Sequence, residues 1–220
     1  MFDFAAARRM MVDGQVRTAD VTDQRIIAAM LDVPRERFVP ERNASLAYLD
    51  LDVAVTSGTP ARRLLKPMVL AKLIQAAEIG PQDHVLDVAC ATGYSTAVLS
   101  RLARSVVALE EDATLARHAR ENLAAVAAAN AEVVSGRLPE GWQAGAPYDV
   151  ILVNGAAEVM PERLLSQLKE GGRLVGIVGR APASKAMRYL AAGGQASALP
   201  IFDAAAPALP GFAQPPAFVF

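Results

Sequence analysis

The sequence predicts an α/β fold: a mostly parallel, twisted sheet with helices on both faces, an N-terminal helical extension and a C-terminal antiparallel hairpin. Three observations support this. From residue 84 onward, short apolar runs typical of strands buried on both faces alternate with helical segments. The first third shows helical spacing and no strand alternation. Near the C-terminus, two apolar runs flank Gly193-Gly194, as expected of a hairpin.

The first third contributes several short helices. Apolar and charged residues mix at helical spacing over 5–16. Asp20 is the expected N-cap of a second helix, which ends before Pro34. A further short helix is predicted at 43–48. Pro67 suits the first position of the helix that precedes the sheet.

The remaining elements alternate in type. The predicted strands are 84–88, 105–109, 132–134, 149–153 and 174–178. The predicted helices are 94–102, 113–128 and 161–168, the last closed by Gly171-Gly172. The hairpin strands are expected at 186–191 and 195–202, followed by an Ala- and Pro-rich loop over 204–216 and by 218–220 as a last strand or docking tail.

Length and composition limit the classes of protein to consider. A chain of 220 residues fits one compact unit, in which we distinguish a helical extension and loop (1–66) from a ligand-binding domain (67–220). Apolar residues make up 53% and the net charge is -1. This composition excludes a disordered chain, and it predicts neither nucleic acid nor a membrane as a partner. The oligomeric state is left open.

Cysteine and histidine usage narrows the chemistry further. Cys90 is the single cysteine of the sequence, which excludes an internal disulfide framework and a multi-cysteine zinc site. With two histidines, His84 and His118, a His-based metal site is not expected. The N-terminus shows no secretory signal, and no stretch approaches a membrane helix. We therefore expect a cytoplasmic protein.

A small-residue turn follows an acidic residue where the first predicted strand meets the next helix. The stretch 85–94 reads VLDVACATGY. Small residues let the backbone turn sharply and approach a ligand, and the free N–H groups of the helix N-terminus face the same place. In an open α/β sheet, ligands bind beyond the carboxyl ends of the strands. The cofactor-binding candidates here are Asp87, Ala89, Cys90, Ala91, Thr92, Gly93 and Tyr94.

Acidic residues at two neighbouring strand ends favour S-adenosyl-L-methionine as the ligand. The dinucleotide fingerprint G-x-G-x-x-G fails at all three glycine positions. The methionyl end of S-adenosyl-L-methionine is cationic, which suits Asp87. Glu110 lies 23 positions later, at the end of the second strand, where an acid accepts ribose hydroxyls; Glu111 follows it. Taken singly, a capping Asp87 and a solvated Glu110 are the alternatives.

For four residues, a structural role is the alternative to a functional one. Cys90 is expected to pack as a small apolar residue. His84 opens a strand and is expected to be structural, whereas His118 is expected to be solvated. Trp142 either covers an adenine ring or, as such residues more often do, closes the core.

Several segments are similar to one known family. The most specific is VPRERFVP, Val33 to Pro40. The others are 11–12, 15–17, 29–30, 47–50, 67–71, 85–94, 147–151 and 171–175. Over nearly its whole length the chain resembles the protein-L-isoaspartate O-methyltransferases. This resemblance implies a Rossmann-like class I methyltransferase fold, S-adenosyl-L-methionine as cofactor, S-adenosyl-L-homocysteine as product, and proteins or peptides bearing isoaspartate as substrates.

The acceptor loop departs from the family pattern. The family carries Thr-Ile-Ser-Gln-Pro, with the serine as the active-site residue. Alignment on Pro67 places Leu65 at that serine, so no catalytic residue is assigned. Arg62, Arg63 and Lys66 are the candidates for holding an acceptor carboxylate, with a solvated basic loop as the alternative.

The cofactor site also departs from the pattern. Two motif glycines are Ala89 and Ala91, and an alanine forced to positive φ costs about 1 kcal/mol. After the third strand, the family's Gly-Asp-Gly is replaced by Gly136-Arg137-Leu138, which removes an acidic contact to adenine.

The sequence therefore predicts an S-adenosylmethionine-dependent O-methyltransferase acting on isoaspartyl carboxylates in damaged proteins. Two alternatives stay open: a methyltransferase with a different acceptor, and a non-catalytic binding module that has lost the cofactor. A nicotinamide dehydrogenase is disfavoured by the failed fingerprint. An RNA methyltransferase is disfavoured by the near-neutral charge and by the lack of a basic stripe.

Overall fold

A seven-stranded sheet forms the centre of the computed structural model, which describes residues 2–58 and 61–213. A separate two-stranded sheet, β1–β2, lies outside it. The strands are β1 Val53–Ala54, β2 Arg63–Leu64, β3 His84–Val88, β4 Ser105–Glu110, β5 Ala131–Ser135, β6 Tyr148–Ala157, β7 Leu168–Val178, β8 Lys185–Ala192 and β9 Gln195–Asp203. The large sheet has the order β5-β4-β3-β6-β7-β8-β9.

The strand directions confirm the predicted architecture. Strands β3 to β7 pair in parallel, whereas β8 and β9 pair antiparallel. Gly193 and Gly194 form the turn of the C-terminal hairpin, both at positive φ. The predicted final element at 218–220 lies outside the described residues, as do Thr59 and Pro60 of the acceptor loop.

Six α-helices accompany the strands in the described part of the chain. They are α1 Phe4–Met11, α2 Gln24–Asp32, α3 Pro67–Ala76, α4 Tyr94–Leu99, α5 Ala113–Ala125 and α6 Glu162–Leu165. Short 3-10 turns link them, including Glu41–Leu46 near the predicted helix at 43–48. None of these helices is long and apolar enough to cross a membrane.

The start of α3 agrees with the prediction, and the start of α2 does not. Pro67 occupies the first turn of α3, where its missing N–H costs nothing. The N-cap of α2 is Asp23, whose carboxylate accepts the backbone N–H of Arg25. Asp20 instead takes a left-handed conformation after the turn Arg17–Ala19, so it closes one turn rather than opening the next helix.

Some predicted helices are too long, and one predicted boundary is wrong. Helices α4 and α5 each end three residues early, at Leu99 and Ala125. The glycine pair 171–172 does not close α6, because β7 already begins at Leu168. A register shift between β6 and β7 lets the strand continue through the two glycines.

The N-terminal helices share a core with the sheet. Val12, Ile26 and Met30 belong to the same buried cluster as Leu70 of α3 and Val85 of β3. The opposite sheet face packs a second cluster. The segment 1–66 therefore packs directly on the ligand-binding part, although the division at residue 66 remains a prediction.

Ala127 allows a direct test of backbone strain in this fold. It follows α5 at φ +53, and its side chain is exposed. We expect Ala127→Gly to raise the free energy of unfolding by about 0.5–1 kcal/mol, because glycine relieves the left-handed strain and removes no packing. Ala124→Gly, at an exposed helical position of α5, is expected to lower it by about 1 kcal/mol. Urea unfolding measures both, and a loss of stability in both variants would contradict the left-handed assignment.

Candidate functional site

Two neighbouring parallel strands bring the predicted acids to one edge of the sheet. In the β3–β4 register, Asp87 lies opposite Ala108 and Val88 opposite Leu109. Glu110 is the next residue of β4, so both acids stand at the carboxyl ends of central strands. Both side chains are fully buried. This placement agrees with the sequence prediction of a shared site.

The carboxylate of Asp87 is held by three side chains. Ser95 Oγ and Thr96 Oγ1 donate to its Oδ2 at 2.7 and 2.5 Å, and Asn154 Nδ2 donates to its Oδ1. Burial raises the pKa of Asp87 to about 6, and the three donors act in the opposite direction. Asp87 is therefore mainly ionised at neutral pH, and it becomes protonated close to pH 6.

The turn after β3 adopts the strained backbone that its sequence predicts. Ala89 and Ala91 have φ of +62° and +52°, and Gly93 has +93°. Alanine in this region costs about 1 kcal/mol relative to glycine. The N–H groups of Ala89 and Cys90 both donate to the carbonyl of Leu109, which ties the turn to β4.

Glu110 accepts donors from three backbone groups and from one cation. The N–H groups of Ala91, Glu111 and Asp112 reach its carboxylate at 2.9, 3.0 and 3.1 Å. Arg62 adds a bidentate ion pair, with Nη1 to Oε1 and Nη2 to Oε2 both at 2.8 Å. The residue expected to meet ribose hydroxyls is thus already paired within the chain.

The structure separates the three cations that the sequence places together. Arg62 turns inward to Glu110, whereas Arg63 is exposed and donates from Nη1 to the carbonyl of Asp52. The backbone N–H of Lys66 donates to the Asp52 carboxylate, and its side chain is half-buried. In this conformation the three side chains do not converge on a common point, so their shared role in acceptor binding stays a prediction.

Leu65, at the family's serine position, is buried and held by an arginine that the sequence analysis did not select. Arg35 is fully buried and donates from Nη2 to the Leu65 carbonyl and from Nε to the Ala47 carbonyl, both at 2.7 Å. Its guanidinium lies 4.5 Å from the centre of the Tyr94 ring. Burial lowers the pKa of Arg35. The position of Arg35 inside the VPRERFVP run was the available signal.

Asn154 is a second residue that sequence analysis missed. It is a polar side chain that follows the apolar run 150–153 of β6, and it donates to both Asp87 and the carbonyl of Val88. A buried amide in a central strand needs hydrogen-bond partners, which was the signal for a link between strands.

Little free volume remains at the strand ends. One cavity of about 10 Å³ is lined by Arg35, Leu65, Ala89, Cys90, Tyr94 and Asn154. A second of about 10 Å³ lies between the loop bearing Arg62 and the segment bearing Leu209. Ligand pockets usually need about 300 Å³ or more. Neither cavity admits a nucleoside-sized ligand while Arg62 pairs with Glu110.

The other predicted cofactor residues have mixed environments. Thr92 is buried and donates to the carbonyl of Phe38. Glu111 and Arg137 are exposed, and Leu138 is buried in the core. Gly136 packs closely, since a Cβ there would lie 3.2 Å from the Leu109 side chain.

Most of the residues for which a structural role was the alternative have structural surroundings. Burial raises the pKa of Cys90, so it remains a packed thiol. His84 stacks on Tyr148 at the start of β3, opposite the site edge. Trp142 is half-buried and packs with the second core cluster. His118, expected to be solvated, is instead half-buried beside a cavity of about 240 Å³.

Comparisons with solved structures identify the same fold. A protein-L-isoaspartate O-methyltransferase matches 93% of this chain with a TM-score of 0.81 at 24% identity, and the chain spans 66% of that protein. A Plasmodium falciparum protein described as a putative protein-L-isoaspartate O-methyltransferase, solved in complex with S-adenosyl-L-homocysteine, matches 92% with a TM-score of 0.78 at 18% identity, and 97% of it is covered.

Sequence comparisons identify the family. The protein-L-isoaspartate O-methyltransferase of Methanoculleus marisnigri is 34% identical over 88% of this chain and 87% of its own length. The protein-L-isoaspartate O-methyltransferase of Koribacter versatilis is 40% identical over 80% of this chain and 78% of its own length. The family model of protein-L-isoaspartate(D-aspartate) O-methyltransferase matches residues 7–197. The chain belongs to the protein-L-isoaspartate(D-aspartate) O-methyltransferase family.

Proposed function

We propose that this protein transfers a methyl group from S-adenosyl-L-methionine to the carboxylate of isoaspartyl residues in damaged proteins or peptides, with S-adenosyl-L-homocysteine as the second product. One observation carries the proposal. Two buried carboxylates, Asp87 and Glu110, stand at adjacent strand ends around the turn where this family binds its cofactor. Family membership over residues 7–197 supports the choice of reaction.

The residues at the strand ends fit S-adenosyl-L-methionine once the loop has moved. Glu110 offers two carboxylate oxygens to the ribose hydroxyls. Asp87 lies at the end of the neighbouring strand, where its negative charge favours the ammonium and sulfonium groups. The turn 89–94 brings backbone close to the ligand, and 136–138 border the expected adenine side.

The proposed reaction makes few chemical demands on side chains. S-adenosyl-L-methionine supplies a methyl group on a sulfonium, which is a good leaving group. An acceptor carboxylate is already ionised at neutral pH, so no general base has to remove a proton. The chain has to align the carboxylate and exclude water. Leu65, which is buried, serves the second purpose without a hydroxyl group.

One observation favours a second candidate, a non-catalytic binding module. Arg62 occupies the partner site of Glu110, and the neighbouring cavities have a volume of only about 10 Å³ each. A protein that had lost its cofactor would keep this closed form permanently. A different acceptor is the third possibility, because the loop segment 63–66 departs from the family pattern. As the sequence has a single cysteine, we also propose a reducing compartment, the cytoplasm.

The primary test is methyl transfer to a defined peptide. We expect incorporation of labelled methyl from S-adenosyl-L-methionine into an isoaspartyl peptide and none into its aspartyl twin. Glu110→Gln should lower transfer at subsaturating cofactor about tenfold or more, because an amide cannot accept two hydroxyls as a carboxylate does. No incorporation at high protein concentration would contradict the proposed acceptor. Retained S-adenosyl-L-homocysteine binding in that case would favour another acceptor, and absent binding would favour the non-catalytic module.

A second test uses the titration of Asp87. Its pKa of about 6 lies above the value near 3.9 of an unfolded chain, so the folded state binds more protons between about pH 4 and 6. The contribution of Asp87 to the free energy of unfolding therefore decreases as pH rises through this window. Its effect on the ligand has the opposite sign, because only the ionised form attracts the ammonium group.

Calorimetry with S-adenosyl-L-homocysteine can separate these effects. We expect affinity to fall about tenfold between pH 7.5 and pH 5, where roughly a tenth of Asp87 stays ionised. Asp87→Asn should bind more weakly at pH 7.5 and lose most of this pH dependence. Circular dichroism verifies that each protein is folded at each pH. An unchanged pH dependence in the variant would remove Asp87 from the binding site.

A further inference from the structure

Arg62 occupies the position that the cofactor ribose needs. Its two terminal nitrogens face the two oxygens of Glu110, each at 2.8 Å, and its Nη2 also lies 3.4 Å from the carbonyl oxygen of Ala89. The Arg62 side chain is 13% exposed and that of Glu110 is 0% exposed. A bidentate arginine–carboxylate pair shielded from water is among the stronger polar contacts in proteins.

The hydrogen-bonding capacity of Glu110 is already used. A carboxylate has about four lone-pair sites for acceptance. Three backbone N–H groups, those of Ala91, Glu111 and Asp112, belong to the turn and to the start of α5. Arg62 adds two further donors. No capacity remains for two ribose hydroxyls, so ribose binding requires the guanidinium to leave.

A guanidinium that leaves Glu110 needs another anion or water, because an unpaired buried charge is unfavourable by several kcal/mol. The chain around Arg62 is the acceptor loop. The backbone N–H of Arg62 donates to Thr56 Oγ1, and the carbonyl of Arg62 accepts from the N–H of Val55. Leu65 follows three residues later in the same loop. The carboxylate of an isoaspartyl acceptor would arrive at this loop and supply the missing anion.

We propose that Arg62 is an exchangeable counter-ion, which blocks the ribose position at Glu110 in the free protein and pairs with the acceptor carboxylate in the complex. This inference rests on the proposed function and adds a residue that positions the substrate. Because one guanidinium serves both partners, ribose binding releases the group that the acceptor needs. By linkage, cofactor and acceptor must then strengthen each other's binding by the same factor.

Calorimetry with S-adenosyl-L-homocysteine tests the exchange, because this ligand occupies the cofactor position without turnover. We expect Arg62→Gln to bind it about tenfold more tightly than the native protein, since the competing cation is gone. Glu110→Gln breaks the same ion pair but removes the ribose acceptor, so it should bind more weakly. The opposite outcomes of these two variants separate unblocking of Glu110 from simple loosening of the loop.

The second measurement repeats the titration in saturating isoaspartyl peptide. In the native protein we expect the peptide to tighten S-adenosyl-L-homocysteine binding at least about fivefold, and its aspartyl twin to do so much less. In Arg62→Gln this coupling should disappear. Arg188→Gln is the matched control: it breaks another bidentate arginine–glutamate pair, with Glu78, and lines neither cavity at the strand ends. It should behave as the native protein does.

Either of two results overturns the exchange: equal or weaker ligand binding by folded Arg62→Gln, or coupling that persists in that variant. Thermal unfolding of each protein verifies the folded state. Failure of the proposed function has a different signature, the absence of methyl transfer to the isoaspartyl peptide. If neither the native protein nor Arg62→Gln binds the ligand, both proposals are wrong.

Discussion

The burial of two carboxylates side by side is the constraint on which this site depends. Parallel pairing of β3 with β4 fixes Asp87 and Glu110 at neighbouring strand ends, out of contact with water. A buried carboxylate is unfavourable unless donors surround it. The chain meets this need differently at the two positions. Asp87 receives side-chain hydroxyls and an amide, whereas Glu110 receives backbone N–H groups and the guanidinium of Arg62.

This difference decides which carboxylate can respond to a ligand. The donors on Asp87 are short side chains of α4 and β6, so they move only if the core moves. The backbone donors on Glu110 are similarly fixed by the turn and by the start of α5. Arg62 instead comes from a separate loop and reaches Glu110 through a long side chain. The partner of Glu110 that can leave without moving the core is therefore Arg62, which stands where we propose that the ribose binds.

Much of this arrangement was predictable because it is local. The alternation of short apolar strands with helices predicted the sheet. The acids at two successive strand ends predicted the Asp87–Glu110 pair. The left-handed Ala89 and Ala91 were also predicted, because the family resemblance places them at two glycines of the cofactor motif. Helix ends were less accurate. Helices α4 and α5 end three residues before the predicted positions, and β7 continues through a glycine pair that resembles a helix stop.

What sequence analysis missed depends on contacts between distant residues. Asn154 reaches Asp87 across 67 positions, and Arg62 reaches Glu110 across 48. Arg62 looked like a cation available to an acceptor because its neighbours in sequence are basic, and nothing local indicated a buried carboxylate as its partner. Leu65 and Arg62, both in this loop, thus differ in consequence. Leucine at the serine position removes a hydroxyl that an ionised nucleophile does not need, whereas Arg62 on Glu110 would, on our proposal, compete directly with ligand binding. On our proposal, divergence in this loop changes how the cofactor and the acceptor bind. The remaining residues can still support methyl transfer itself.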